Sequence, residues 1–478
     1  MIDSRPPGDR GRSSRQPEQR GTLVLSDETA YVGDAIRLEG RNLPPETEIH
    51  VVWHSWEGQW GVLKGNEVAG PQYGSRTETI GTVSTDEEGR LSHDWTIPQD
   101  YGGEHTLELQ GNGGETLAEA EVTITPWFEL DRTKAELGEA FTVIGYGIGP
   151  ENVRNNYQIT WDGTATGFVT GVQNRGTATA RIRGAGPPGE HVVQVYRNAL
   201  GVPFLQNNTQ SAFGEVAGGR QSVWQVEVTE PETEPPTMWM DDLIQEEPLP
   251  VHYPDLDEDA DAELEITPTS GQAGDEAVIE GQDFPPSTEV NLVWYTQEGI
   301  PYTGVEVTPA RRDSYLPRVT TDTDGTFEVG VTIPTDIGST KPIVAEVDGR
   351  SVAVTGFMMQ QKIETFEPTS GHVGTEIEIE LSGVGWPKYE CTPYFVYDNR
   401  PLGYICSNIG TGTDVQEVVK ATFRAYGEPG LHFIDVYPSL FDMRDDEPDF
   451  VLKPHLSYLD NHPVRPLPAM HFTFEVTE

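Results

Sequence analysis

VGDAIRLEGRNLPPETEIHVVWHSWEG (Val32–Gly58) occurs twice in the chain. It aligns without a gap on AGDEAVIEGQDFPPSTEVNLVWYTQEG (Ala273–Gly299), pairing Gly40 with Gly281, Pro44–Pro45 with Pro285–Pro286 and Trp53 with Trp294. In both copies short apolar runs alternate with polar residues, as in AIRLEG and EIHVVW, and Gly, Pro, Asn and Asp separate them. Alternation with period two is the mark of a strand with one buried face. Trp53 and Trp294 end apolar strands and are expected to fill a core between two sheets.

The repetition extends outward. TDEEGRLSHDWTIP (Thr85–Pro98) returns as TDTDGTFEVGVTIP (Thr321–Pro334), and DEEGR and DTDGT read as hairpin turns. Gly138, Gly147, Gly149, Asp162 and Gly167 return as Gly374, Gly383, Gly385, Asp398 and Gly403. GEHVVQVY (Gly189–Tyr196) returns as GLHFIDVY (Gly430–Tyr437), and VEVTE (Val226–Glu230) as FEVTE at the end of the chain. The 478 residues are therefore a duplicated two-domain unit, A–B–A′–B′. Strands about 8–12 residues apart over domains of about 100 residues predict an all-β chain of four immunoglobulin-like β-sandwiches. The expected boundaries are a disordered basic arm (1–21), domain A (22–126), domain B (127–230), an acidic Pro-rich linker (231–263), domain A′ (264–358) and domain B′ (359–478).

PTSGQAGDEAVIEGQDFPPSTEV (Pro268–Val290) and its echo PTSGHVGTEIEIELSGVGW (Pro368–Trp386) resemble the opening of IPT/TIG-type immunoglobulin-like domains. The resemblance covers the starts of all four domains, although Asp27–Gly33 and Asp131–Gly138 keep only part of it. It implies the fold and little about function, since such modules serve as spacers, adhesion units and appendages alike.

The chain has 31 basic and 78 acidic side chains, a net charge of −47, and only seven of the cations are Lys. Such a charge repels duplex phosphates, so nucleic acid is not an expected partner. Heavy Asp and Glu with scarce Lys resembles the proteins of extreme halophiles, since at molar salt the Debye length falls to about 3 Å and self-repulsion is screened. No run approaches the ~18 apolar residues of a membrane span, and no membrane insertion is expected. Met1–Gly21 has no apolar run of the kind a secretory signal needs. It carries Arg5, Arg10, Arg12, Arg15 and Arg20, an arm suited to an acidic sister subunit. Within the linker, the apolar island TMWMDDLI holds Trp239, Met240, Leu243 and Ile244, candidates for docking onto a neighbouring domain or subunit.

No catalytic, cofactor or metal signature is present. Histidines are scattered outside any zinc pattern, and His50 and His54 share one face of a strand. The run Asp255 to Glu263 lacks the glycine that turns a calcium loop. GAGPPG (Gly184–Gly189) matches a dinucleotide fingerprint in letters only, because two prolines and a following strand forbid the helix. A two-residue turn at Asp398–Asn399 would put Cys391 opposite Cys406, a candidate disulfide. Trp56 and Trp60 map to Gln297 and Pro301 in the copy, so they are specific to domain A and read as exposed aromatics for a ligand or an interface, with loop packing as the alternative.

The role these features imply is a non-enzymatic structural protein of a haloarchaeal virus particle. It would be made in the host cytoplasm and displayed on the virion as a capsid- or tail-associated projection (fibre, turret or decoration). Its expected partners are further copies of itself, other virion proteins and a host-surface glycan or protein. The alternatives are a halophile cell-surface adhesion protein or a carbohydrate-binding module. The charge makes a prediction of its own. The melting temperature should rise steeply from low salt to molar KCl, and a flat profile by differential scanning calorimetry would remove the salt-adapted reading.

Overall fold

The computed structural model describes residues 21–63, 67–150, 157–197, 220–243, 255–257, 261–300, 305–385, 393–405, 417–438, 441–442, 451–452, 456 and 468–478. Every element among them is a strand. In domain A, β1 (Thr22–Leu25), β3 (Ala35–Arg41) and β6 (Leu91–Thr96) form one sheet. The facing sheet runs β2 (Thr29–Ala30), β8 (Thr116–Ile124), β7 (Gly103–Gln110), β4 (Glu48–Leu63) and β5 (Glu67–Ser84), with β2 parallel to β8. A three-strand sheet facing a larger one, with the first strand divided between them, is an immunoglobulin-like sandwich.

The order is repeated three times. In B, β9 (Trp127–Leu130), β11 (Ala140–Tyr146) and β14 (Ala178–Arg183) face β10 (Lys134–Glu136), β16 (Arg220–Thr229), β15 (Gly189–Arg197), β12 (Tyr157–Trp161) and β13 (Thr164–Val169). The linker contributes β17 (Met238–Met240). In A′, β18 (Glu263–Thr267), β20 (Glu276–Gln282) and β24 (Phe327–Thr332) face β19 (Ser270–Gly271), β26 (Arg350–Met359), β25 (Ser339–Val347), β21 (Glu289–Ile300) and β22 (Val305–Arg312), with β23 (Arg318–Thr320) on β21. In B′, β27 (Lys362–Glu367), β29 (Glu376–Ser382) and β32 (Val419–Arg424) face β36 (Met470–Val476), β33 (Gly430–Tyr437), β30 (Tyr394–Tyr397) and β31 (Arg400–Tyr404), with β28 (Ser370–Gly371) on β36. A short pair, β34 (Phe441–Asp442) and β35 (Val451–Leu452), completes the strands.

Two details differ from the sequence reading. The DEEGR turn forms, with Gly89 N–H donating to Asp86 O (3.0 Å) and the Asp86 carboxylate capping Glu88 and Arg90 N–H groups. It is not a hairpin, however: β5 and β6 lie in opposite sheets, so the turn carries the chain across the sandwich. The Asp398–Asn399 turn does make a hairpin, with both residues at positive φ (45° and 63°) and Tyr397 paired with Arg400. A bulge then shifts the register by one residue from Phe395↔Gly403 outward. Cys391 and Cys406 lie outside the described residues.

Trp53 and Trp294 sit in the cores of A and A′, as their alternation requires. Each indole N–H needs an acceptor there. Trp53 Nε1 donates to Asp100 Oδ2 at 2.7 Å, and Asp100 also accepts from Ser55 Oγ (2.7 Å) and Tyr101 N (2.9 Å). A′ repeats the group with Trp294, Asp336, Thr296 and Ile337 N at 2.7, 2.7 and 2.8 Å. These buried carboxylates lie where A meets B and A′ meets B′. Gly102 approaches Gly147 there so closely that a Cβ would stand 2.0 Å from its carbonyl, and Gly338 does the same to Gly383 at 2.5 Å. Replacing Asp100 by Ala strands three buried donors, and a loss of about 2–4 kcal/mol is expected in denaturant unfolding in molar KCl; an unchanged midpoint would mean the donors find water instead.

Candidate functional site

The most concentrated buried polar chemistry lies where B meets B′. Strand β14 alternates, so Ile182 enters the core of B while Arg181 and Arg183 point outward. An outward arginine ordinarily stays in water. Arg183 is buried instead, because the outer face of the β33–β36 sheet of B′ lies against it. Arg183 Nε is 3.2 Å from both oxygens of Asp435, and Nη2 is 2.6 Å from Oδ1. Nη1 donates to the carbonyl of Gly138. The backbone of Arg183 is gripped too: its N–H donates to Asn399 Oδ1 (3.1 Å), and Asn399 Nδ2 donates to its carbonyl (2.7 Å). The amide of Asn399 thus caps the end of β14 as a neighbouring strand would.

Apolar contacts surround the pair. Phe433 of B′ joins the core cluster of B, and its ring occupies the space beside Gly138, where a Cβ would come within 2.7 Å. Gly138 also has φ +90°, so no other residue fits comfortably. The Arg183 guanidinium lies 5.0 Å from the Trp239 ring and 5.7 Å from that of Phe433.

The linker closes the arrangement. Strand β17 pairs antiparallel with β36, Met238 opposite Phe472 and Met240 opposite Met470. Thr473 donates from Oγ1 to Pro236 O and from N to Thr237 O, both at 2.8 Å, and Asp241 N–H donates to Ala469 O at 3.0 Å. This segment, within the acidic Pro-rich linker (231–263), is a strap pinned to B′. Asp241 then faces Arg181 (3.1 Å) and His471 Nε2 (3.3 Å), while His471 Nδ1 lies 2.6 Å from Asp435. A cavity of about 290 Å³ opens beside the cluster, lined by Arg181, Arg183, Trp239, Asp241, Tyr437 and His471 among others.

The electrostatics follow from this crowding. Burial alone would raise the Asp435 pKa, but Arg183 and His471 outweigh it and hold the carboxyl well below its usual range. Burial likewise opposes ionisation of Asp241, and His471 and Arg181 overcome it. Burial pulls the His471 pKa down, yet hydrogen bonds to Asp241 and Asp435 leave it above the ordinary value. Burial pushes the Tyr437 phenol up, with Asp435 adding to the effect. The cluster carries ionised, mutually satisfied groups that fix two domains together. It shows no nucleophile paired with a base.

The residues singled out in the sequence fall in different places. Trp239 and Met240 dock within the chain, Trp239 over Arg183 and Met240 against the core of B′. Leu243 is half-buried just beyond the strap, and Ile244 lies outside the described residues. Trp56 is not an exposed aromatic. It is 4% exposed, edge-on to His105 at 4.9 Å and close to Gly103. Trp60 falls within β4, but its side chain lies outside the described residues, as do Arg5, Arg10, Arg12, Arg15 and Arg20. His54 contacts Glu108 (2.7 Å), and the GAGPPG segment is a turn between β14 and β15. Among the described residues no group of three or more His, Cys, Asp or Glu is placed to hold a metal ion, and no helix is long and apolar enough to cross a membrane.

No family model and no curated protein matches the chain. Solved structures similar to it include the native conformation of Escherichia coli α2-macroglobulin, at 8% identity and TM-score 0.17 over 94% of this chain and 31% of that one. The D1–D4 ectodomain fragment of ICAM-5 is 11% identical, with TM-score 0.15 over 91% of this chain and 97% of the fragment. A putative membrane anchored protein from Corynebacterium diphtheriae is 10% identical, with TM-score 0.17 over 71% and 91%. The chain spans about a third of the α2-macroglobulin it matches first. Similarities this distant assign neither family nor function. The immunoglobulin-like class stands on the strand order itself.

Replacing Arg183 by Met strands a buried carboxylate, and about 3 kcal/mol or more of B–B′ docking should be lost. Small-angle scattering in molar KCl should then show a larger radius of gyration. The double change Arg183→Met with Asp435→Leu should recover part of the compaction, and equal expansion in both variants would show that charge burial is not the cause.

Proposed function

We propose that the chain is a non-enzymatic structural protein of a haloarchaeal virus particle, working in concentrated salt as a homo-oligomeric surface projection. The observation that carries this reading is how the chain distributes its charge. Its net charge is −47, while its buried ionised cluster joins domains to one another. Asp100 and Asp336 lie at the A–B and A′–B′ junctions, and Arg183, Asp435, His471 and Asp241 lie between B and B′. Buried polar groups used to fix domain positions suit a part that must hold a shape. The surface charge suits a solvent in which repulsion is screened.

Within the immunoglobulin-like class, the openings at Pro268 and Pro368 support IPT/TIG-type modules. The carbohydrate-binding alternative rests on Trp60 alone, because Trp56 is interior. The basic arm holding Arg5 to Arg20 is assigned to contacts with acidic sister subunits or other particle proteins. Mass spectrometry of purified particles, with envelopes of uninfected cells alongside, tests the proposal. Peptides of this chain at fixed stoichiometry in particles alone are expected. Their presence in uninfected envelopes would replace the virion role with that of a cell-surface adhesion protein.

A further inference from the structure

The strap and the B–B′ contact share one titratable group that bridges both halves. His471 lies on β36, between Asp435 on β33 and Asp241 at the end of the strap, and is itself buried. The other charged or titratable groups facing it are Arg183 and Arg181 from β14 and Tyr437 from β33, with the Trp239 ring tilted against it at 5.0 Å. We propose that His471 is a proton-operated latch: protonated, it ties the end of the strap to the B–B′ pair through two carboxylates, and on losing its proton it loosens the strap.

The imidazolium has two N–H groups and two carboxylates to receive them, Nδ1 toward Asp435 Oδ1 at 2.6 Å and Nε2 toward Asp241 Oδ1 at 3.3 Å. Neutral imidazole has one N–H, so one carboxylate loses its donor whichever tautomer forms. If Nδ1 gives up the proton, it can accept from Arg183 Nη2, 2.9 Å away, and Asp435 keeps its arginine. If Nε2 gives it up, Asp241 keeps the half-exposed Arg181 and the backbone N–H of Ala469. In either tautomer the ring no longer bridges the two carboxylates with a charged donor at each end, so the side-chain tie between the strap and the B–B′ pair weakens while the backbone pairing of β17 with β36 remains.

The sign follows from the direction of the shift. His471 has a pKa above the ordinary imidazole value when the latch is closed and reverts toward that value when it opens. Its contribution is therefore complete below about 6.5 and disappears as pH rises through the closed-state pKa. Asp241 and Asp435 are held low, so their contributions disappear only in strong acid. The latch is tightest in mild acid and loosens toward alkaline pH. The device would operate whether the chain belongs to a virion or to a cell surface.

Hydrogen exchange on the full chain in molar KCl reads the latch directly. With intrinsic rates divided out, exchange of the strap amides around Met238–Asp241 should accelerate roughly threefold or more between pH 6 and pH 9. Core amides at Val193 and Val195, which serve as the internal control, should not change. His471→Gln, which keeps one donor and cannot titrate, should flatten the strap profile while leaving the control amides protected. Strap exchange that is flat with pH in the natural chain, or a profile that persists unchanged in His471→Gln, overturns the proposal. If the control amides lose protection in the variant, His471→Asn and an NMR titration of the His471 ring decide: a ring pKa at or below the ordinary value overturns it as well.

Discussion

The arrangement of the four domains depends on burying Arg183 against Asp435. Taking both charges out of water costs several kcal/mol each, and their attraction offsets this only when every remaining donor and acceptor is satisfied. The contacts here meet that condition. Arg183 uses Nε and both terminal nitrogens, its backbone is capped by Asn399, and its guanidinium lies over the rings of Trp239 and Phe433. A pair so demanding allows little latitude in how B sits on B′. Its main effect is to specify one geometry, and the strap adds strand pairing on the same surface. In chain order the domains run A, B, A′, B′, whereas the contacts join A to B, B to B′ and B′ to A′.

Duplication explains why the junctions are of two kinds. The junction within each unit is the same in both copies: Asp100 and Asp336, Gly102 and Gly338, Gly147 and Gly383 occupy matching positions. The clasp is not shared. Its B′ residues Asn399, Phe433, Asp435 and His471 stand where B has Gly163, Val192, Gln194 and Val223. Arg183 itself has a counterpart, Arg424, but that residue is exposed, and Gly374 beside it has open space where Gly138 holds a Phe ring. One copy became the gripping surface and the other the gripped, so the interface is heterologous and the two-domain units are no longer interchangeable.

The sandwiches were legible because alternation and turn residues are local. AIRLEG at Ala35–Gly40 shows its inward face without reference to anything distant, and the core positions of Trp53 and Trp294 follow from it. The Asp398–Asn399 turn was legible for the same reason. What escaped was whatever depends on a second domain. ATARIR reads as a strand with arginines toward solvent, and only the presence of B′ makes Arg183 interior. Trp56 is interior as well, edge-on to His105 of its own domain, a contact between strands that local alternation does not reveal. The DEEGR turn reads as a hairpin because its residues set the local bend and not the sheet the chain enters next. One missed signal was available: TIPQD and TIPTD repeat an aspartate two residues beyond the matched Pro98 and Pro334. An acid retained beside two core tryptophans has an indole to satisfy.

Salt separates the two populations of charge. An exposed pair such as Arg37–Asp94, with more than half of each side chain in solvent, contributes little in molar salt because mobile ions screen it as effectively as they screen repulsion. The Arg183–Asp435 pair admits no ions between its partners and keeps its attraction. The same is true of Lys341, which is wholly buried at the A′–B′ end of A′ with Gln297 Oε1 at 2.9 Å and Asp336 at 3.8 Å. A chain with 31 cations against 78 acids gains most from those it withdraws from solvent. In dilute buffer surface repulsion works against the buried junctions, and in concentrated salt only the junctions remain. Concentrated salt therefore strengthens the difference between the closed arrangement of domains and every open one.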